Sequence, residues 1–433
     1  MSFVTKNDQV YQQLKTFIDE LEIIDTHEHL PAFEAMRDPT CDVLTEYLRQ
    51  YFVVDLVSAG LPQTDLQKVL GKLPIAQKWD LLAPYWDIAR NTGYGQLLDI
   101  SVEALYGIKR IDSGTVEELN DKFFKARQNG GMFQKVLKEI CKTKTCVLDD
   151  LAKPGGIVSD AGFYTSVCRI DPWIELGNGY DFDYLEELSG ARIAGFKDLL
   201  DACAVYLQDI YDAGCRVYKC AVAYSRPLKF LRRTYAEAEA AFNKIYSSRR
   251  GYDVNQACGD ERRNYEDYML HYILSFANRN GMTIQIHTGI QEGNGNILTH
   301  ANPSLLENLF PEYPHVWFDI FHIGYPYHHL VGTYAKMYPN VFIDMCWAHA
   351  ISPAASRAIL YEWMDAVPIN KINAYGGDFC FIDAVYGHLE LARRNVAQVL
   401  AAKVRDGDFD IERAQTAASM LFYKNPERIF QIG

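Results

Sequence analysis

The residues best suited to chemistry are histidines and carboxylates that close short apolar runs. Ile23-Ile24-Asp25-Thr26-His27-Glu28-His29 is the first such run. Side chains of a strand alternate between faces, so His27 and His29 present two imidazoles to one side, about 6–7 Å apart along the backbone. That spacing suits two ligands converging on one metal ion. No histidine occurs between His29 and His271, so further ligands come from far along the chain. The candidates are His287-Thr288-Gly289, His322-Ile323-Gly324 and Gly376-Gly377-Asp378, each ending an apolar segment. A lone histidine there reads as a core or rim residue. Three such histidine-bearing runs and an aspartate-bearing one read as a metal site, since neutral imidazoles and a carboxylate suit Zn²⁺ or a similar divalent ion with a position left for water.

Cations and aromatics accompany them. Arg169 ends the run Phe163–Arg169, Lys219 lies within Cys215–Val222, and Tyr224 and Arg226 follow it. A guanidinium is a planar two-pronged donor, so Arg169 and Arg226 are candidates to hold a substrate carboxylate, with a structural ion pair as the alternative for each. Tyr224 is a candidate pocket residue. The glycine-rich stretch 289–296 either brings backbone to a ligand or forms a loop. Glu28 points away from its histidine neighbours and reads as a supporting group.

The elements that position these groups have a rhythm. Short apolar runs at Ile23, Thr145–Leu148, Phe163–Arg169, Cys215–Val222, Thr283–His287, Val316–His322, Val341–Met345 and Ile372–Gly376 alternate with helical patterns. Those runs are mostly apolar rather than strictly alternating, as in a parallel sheet covered on both faces. Eight units predict an α/β fold, a (β/α)8 TIM barrel with a helical insertion after strand 1; the alternative is an open doubly wound sheet. A closed barrel is preferred because it gathers the ends of many strands at one mouth. Three- and four-residue spacing predicts helices at Asp8–Glu20, Asp42–Phe52, Ile75–Arg90, Tyr94–Tyr106 and Val116–Gln128. The expected organisation is a barrel over 1–29 and 130–433, with 30–129 as an insertion or lid. A polar loop is expected near Tyr252–Glu261.

Composition sets the limits. The chain has 433 residues, 48% of them hydrophobic, ample for a large core, and a net charge of −13. That balance disfavours nucleic acid and anionic membranes, while leaving room for a small anionic substrate. Ten scattered cysteines without a C-x-x-C pair read as reduced core thiols of a cytoplasmic protein. No apolar run is long enough to span a membrane. A homo-oligomer is compatible with the sequence.

In order and spacing, Asp25-Thr26-His27-Glu28-His29 with His287, His322, Asp378 and the tail Asn425-Pro426-Glu427-Arg428-Ile429-Phe430 resembles the amidohydrolase superfamily, in particular its amidohydrolase-2 branch, which includes nodulin-like hydrolases and uronate isomerases. The resemblance implies that His27, His29, His287 and Asp378 hold a divalent metal, most simply one Zn²⁺. It implies that Asp378 shuttles a proton and that His322 orients water or polarises the substrate. Lys219 falls where two-metal members of the superfamily carry a bridging carboxylated lysine, so it is a candidate bridge to a second metal. The implied activity is metal-dependent hydrolysis of a C–N or C–O bond in a small carboxylated substrate. The alternative is uronate isomerisation or non-oxidative decarboxylation. Asp378-Phe379-Cys380 lacks the arginine of the isomerase pattern, whereas the insertion after strand 1 looks like that of the isomerases.

Overall fold

The computed structural model describes residues 7–158, 162–177, 179–248 and 259–432. The polar stretch 252–258 lies outside the described residues. A helix α1 (Gln9–Glu20), capped by the Asp8 carboxylate accepting from the Tyr11 amide, precedes the first strand. Nine parallel strand segments follow. They are β1 (Ile23–Glu28), β2 (Thr143–Leu148), β3 (Tyr164–Ser166), β4 (Cys168–Arg169), β5 (Val217–Cys220), β6 (Thr283–Ile286), β7 (Trp317–Ile320), β8 (Val341–Asp344) and β9 (Ile372–Asn373). Their order is β1-β2-β3 and β4-β5-β6-β7-β8-β9.

Backbone bonds join the two arcs into a cylinder. The run expected as one strand, Phe163–Arg169, divides at Val167, whose amide donates to Leu148 while β4 pairs with β5. At the other edge the Thr26 amide donates to Tyr375, the Asp378 amide to His27 and the His29 amide to Phe379. The fold is thus the expected (β/α)8 barrel, with its seam beside His27 and Asp378. Gly377 makes the seam possible. A Cβ there would lie 1.6 Å from the Glu28 carboxylate, so no other residue fits without displacing Glu28.

Between β1 and β2 the described elements are helical: α2 (Val43–Tyr47), α3 (Phe52–Ser58), α4 (Gln63–Val69), α5 (Ile75–Ala89), α6 (Gly93–Tyr106) and α7 (Val116–Asn129), with one 3-10 turn at Glu34–Met36 and one π turn at Gln134–Ile140. The continuous helix expected over Asp42–Phe52 is broken. It stops at Tyr47 and restarts at Phe52, because Tyr51 adopts φ +50°. A non-glycine residue at positive φ costs on the order of 1–2 kcal/mol, so surrounding contacts must hold it.

The barrel interior is unusually polar. Register places Lys219 beside Gln285 and Gln285 beside Asp319. These three, with Thr26, Asp344 and Asn373, are buried. Beneath them Val147, Val167, Val217 and Phe342 pack against Ile429 and Phe430 of the tail. Among the described residues no helix is long and apolar enough to cross a membrane.

Candidate metal centre

The expected pairing of His27 and His29 is present. Their ring centroids lie 4.9 Å apart, nearly perpendicular. Both rings face Asp378: His29 Nε2 is 3.3 Å and His27 Nε2 3.7 Å from Asp378 Oδ1. The ligand atoms of His27, His29 and Asp378 lie within 4.8 Å of one another, as do those of His322, Cys346 and Asp378. His287 falls in neither trio and instead turns Nδ1 to within 3.0 Å of His322 Nε2.

Hydrogen bonds set which nitrogen of each ring carries the proton. A carbonyl oxygen accepts and cannot donate. His29 Nδ1 therefore donates to the Asp149 carbonyl, His287 Nε2 to Ile290 and His322 Nδ1 to Cys346. His27 Nδ1 donates to Gln285 Oε1, whose amide nitrogen is itself turned to the Thr26 carbonyl. Burial keeps His27 and His287 well below the usual imidazole range, helped by Lys219 for His27 and by His322 and Lys219 for His287. Burial likewise brings His322 down to about 4. The neutral rings then aim lone pairs inward. His27 Nε2 is buried with no hydrogen-bond partner, and the lone pairs of His287 and His322 face each other at 3.0 Å. Such a cluster repels itself unless a cation lies among its members. Outward N–H groups tied to carbonyl or amide oxygens are the usual support of metal-bound imidazoles. Burial acts to raise the Asp378 pKa, but His29, His322 and His27 hold it well below the carboxylate range. This donor set fits a divalent cation.

Backbone strain concentrates here. Of the seven non-glycine residues with positive φ among those described, five border the site: Tyr51, His322, Ile323, Trp347 and Asp378. Strained residues persist where their surroundings over-determine them. Trp347 stacks on Tyr51 at 4.3 Å and meets the His322 ring edge-on at 5.1 Å.

Several contacts escape the reading of strand ends. Tyr51 Oη lies 2.7 Å from both the carbonyl and Oδ2 of Asp378, donating to one at a time. Gln50 Nε2 donates to the Asp378 carbonyl, and its Oε1 accepts from the Cys380 amide. Asp149, directly after β2, puts Oδ2 3.7 Å from His27 Nε2. Its position after a strand was a signal available in the sequence; nothing in the periodicity singled out Gln50 or Tyr51.

The remaining candidates are distributed unevenly. A cleft of about 310 Å³ opens over the histidines and is lined by Arg169, Lys219 and Tyr224 among others. Arg169 spends its guanidinium on carboxylates: Nε donates to Asp149 and Nη1 to Asp171. Arg226 does not line the cleft; it is buried, bonded to Glu266, Asp267 and the Lys229 carbonyl. Tyr224 packs its ring 4.8 Å from His287 and accepts from the Glu292 amide. Lys219 is buried with its ammonium 3.7 Å from the Phe321 ring, and burial lowers its pKa. Glu28 accepts from the Phe379 amide and faces Asp25.

Residues 232–432, which include His287, His322 and Asp378, match the family model described as Amidohydrolase. A glucuronate isomerase from Caulobacter crescentus superposes with a TM-score of 0.80, covering 99% of this chain and 96% of that one at 16% identity. The likeness in fold therefore runs the length of the barrel and its helical segment. In sequence, Protein fluG of Emericella nidulans is 30% identical over 150 residues, 34% of this chain and 17% of that protein. A uronate isomerase of Corynebacterium efficiens is 26% identical over 226 residues, 47% of this chain and 47% of that one. The chain thus spans less than half the length of either curated relative it matches. The barrel gathers its histidines and Asp378, all at strand ends, in one buried cluster under the cleft.

Proposed function

We propose that this chain is a metal-dependent enzyme of the amidohydrolase type that hydrolyses a C–N or C–O bond in a small, carboxylated molecule. The observation that carries the reading is the set of four imidazoles whose outward nitrogens are tied to carbonyl or amide oxygens and whose lone pairs turn inward, those of His27, His29 and His322 beside Asp378 and that of His287 on His322. His27, His29, His287 and Asp378 would hold one ion, most simply Zn²⁺. A bound divalent ion supplies a Lewis-acid centre that polarises a carbonyl and lowers the pKa of water to about 7.

The protein's own groups do the rest. Asp378, ionised and fixed by Tyr51, takes a proton from water and delivers it to the leaving group. His322, held by Cys346 through its Nδ1–H, turns the Nε2 lone pair inward, where it accepts from water or a substrate hydroxyl and orients it. Lys219 stays a pocket cation in this single-ion reading. The helical segment 30–129 lines the cleft with Arg49, Gln50 and Tyr51. A small anion of hexuronate size is compatible with a cleft of about 310 Å³.

A second reading, uronate isomerisation, is favoured by one observation. The segment between β1 and β2 sets the Tyr51 hydroxyl against Asp378, a donor beside a base as proton transfer between adjacent carbons needs. The relatives named as uronate isomerases agree with it; Cys380 two residues after Asp378 leaves it without the arginine of that pattern.

The deciding experiment is metal analysis of purified protein with parallel assays. Hexuronates would be followed by a coupled dehydrogenase, and N-acyl amino acids and lactones by release of amine or acid. Hydrolysis with one metal per chain, lost in His27→Ala, is the expected result. Turnover of a hexuronate alone would move the assignment to the second reading, and full activity in His27→Ala would overturn both.

A further inference from the structure

We infer that Arg49 is the specificity residue that receives the substrate's carboxylate. This inference deepens the proposed function and rests on it. Three of the cations lining the cleft are Arg169, Lys219 and Arg49. Arg169 is already matched by Asp149 and Asp171. Lys219 is nearly fully buried, with its ammonium over the Phe321 ring. Arg226 is outside the cleft and balanced by Glu266 and Asp267.

Arg49 differs from all of them. Its side chain is 48% exposed, and it makes one ion pair, Nη1 to Glu46 Oε2 at 3.2 Å. Glu46 is buried and shared: Arg127 Nη2 lies 2.7 Å and Arg37 Nη2 3.6 Å from its other oxygen. One carboxylate thus faces three guanidinium groups, so Glu46 does not balance Arg49 alone. Its Nε and Nη2 bond to nothing among the described residues, which leaves an edge with two parallel donors, the geometry that grips a carboxylate.

The segment that carries Arg49 is anchored. The next two residues, Gln50 and Tyr51, bond to Asp378, and Gln50 also accepts from Cys380. Arg49 therefore stands at a fixed place beside the acid rather than on a free loop. Glu292 adds a carboxylate to the lining, and burial and Asp378 raise its pKa. A ligand with one carboxylate and otherwise neutral hydroxyls fits this contrast better than a dianion.

The test measures binding of D-glucuronate and of its uncharged amide, D-glucuronamide, by calorimetry on the full chain, zinc-loaded and metal-free. The variants are Arg49→Met and Arg49→Lys. The wild type should favour the carboxylate at least tenfold. Arg49→Met should lose that preference while keeping zinc content and melting temperature, and Arg49→Lys should recover part of it. Raising the salt should shrink the preference, because the pair is half exposed. Equal binding of acid and amide by the wild type, or an unchanged preference in Arg49→Met, would overturn the inference. The metal-free arm separates the two claims. A carboxylate preference that depends on Arg49 in protein unable to retain zinc would sink the metal assignment and leave the role of Arg49 standing.

Discussion

The barrel wall and the helical segment after β1 meet at Asp378, and they reach it by opposite means. The wall delivers its groups through regularity. Parallel strands end at one rim, so His27, His29, His287, His322 and Asp378 arrive together although 351 residues separate the first from the last. The helical segment delivers its groups through an interruption. A helix stops at Tyr47, Tyr51 takes a positive φ, and the turn swings Gln50 and Tyr51 onto Asp378. Regular structure places ligands; a local break, at a cost in strain, places the groups that tune them.

The sharpest way to break this comparison is at the shared residue. Asp378→Asn keeps the shape of the side chain and removes the charge that faces three imidazoles. Activity should fall by about 10³-fold or more, as expected for loss of a group that moves the proton, and metal content should drop with it. Steady-state kinetics with metal analysis checks both. An active, fully metallated Asp378→Asn protein would mean that the wall does not carry the chemistry.

A smaller effect is expected from the other side. Tyr51→Phe removes the hydroxyl 2.7 Å from Asp378 Oδ2 and leaves the stacking on Trp347. Loss of such a supporting bond costs about 10–100-fold in metal affinity or activity. The protein should fold and retain metal at saturating concentration. A Tyr51→Phe variant as impaired as Asp378→Asn would place the helical segment on an equal footing with the wall.

The same contrast explains what could be seen in the sequence. The wall was legible because its ligands close apolar runs in a fixed order, and helices with clear stops kept their limits: α5 and α6 lie within one residue of the spans Ile75–Arg90 and Tyr94–Tyr106 that periodicity predicts. The break at 48–51 was not legible, since Leu48 and Phe52 continue the apolar spacing and nothing local forces Tyr51 to positive φ. Asp149 was less legible because a single carboxylate after a strand, with no histidine beside it, has the pattern of an ordinary rim residue. The pairing of Arg226 with Glu266 and Asp267 depends on how the helix Arg262–Asn280 docks, which no local pattern encodes.

The smallest effect should separate the wall from the segment by protonation. Two carboxylate pairs are buried in the wall. Neither oxygen of Asp319 accepts a hydrogen bond among the described residues, and one oxygen each of Asp25 and Glu28 is equally orphaned. Two such carboxylates stay together by sharing a proton. Burial and the Asp344 charge push Asp319 well above its usual range, and burial raises Asp344 to about 6 against the hydrogen bonds it accepts; burial also raises Asp25 to about 7 and Glu28 well above its range. A carboxyl group whose pKa is raised by folding stabilises the fold fully below its unfolded value, near 4. That stabilisation is lost as pH rises through the folded value, because the native state binds the extra proton. The wild type should therefore lose stability between about pH 4 and 7, by up to about 1.4 kcal/mol per pH unit for each proton held. Asp319→Asn replaces the shared proton with an amide that donates to Asp344 at any pH. Its melting temperature should fall less steeply over that interval, with the residual slope belonging to Asp25 and Glu28. Parallel slopes for wild type and variant would mean that Asp319 and Asp344 share no proton, and that the polar interior of the wall is held by something other than these pairs.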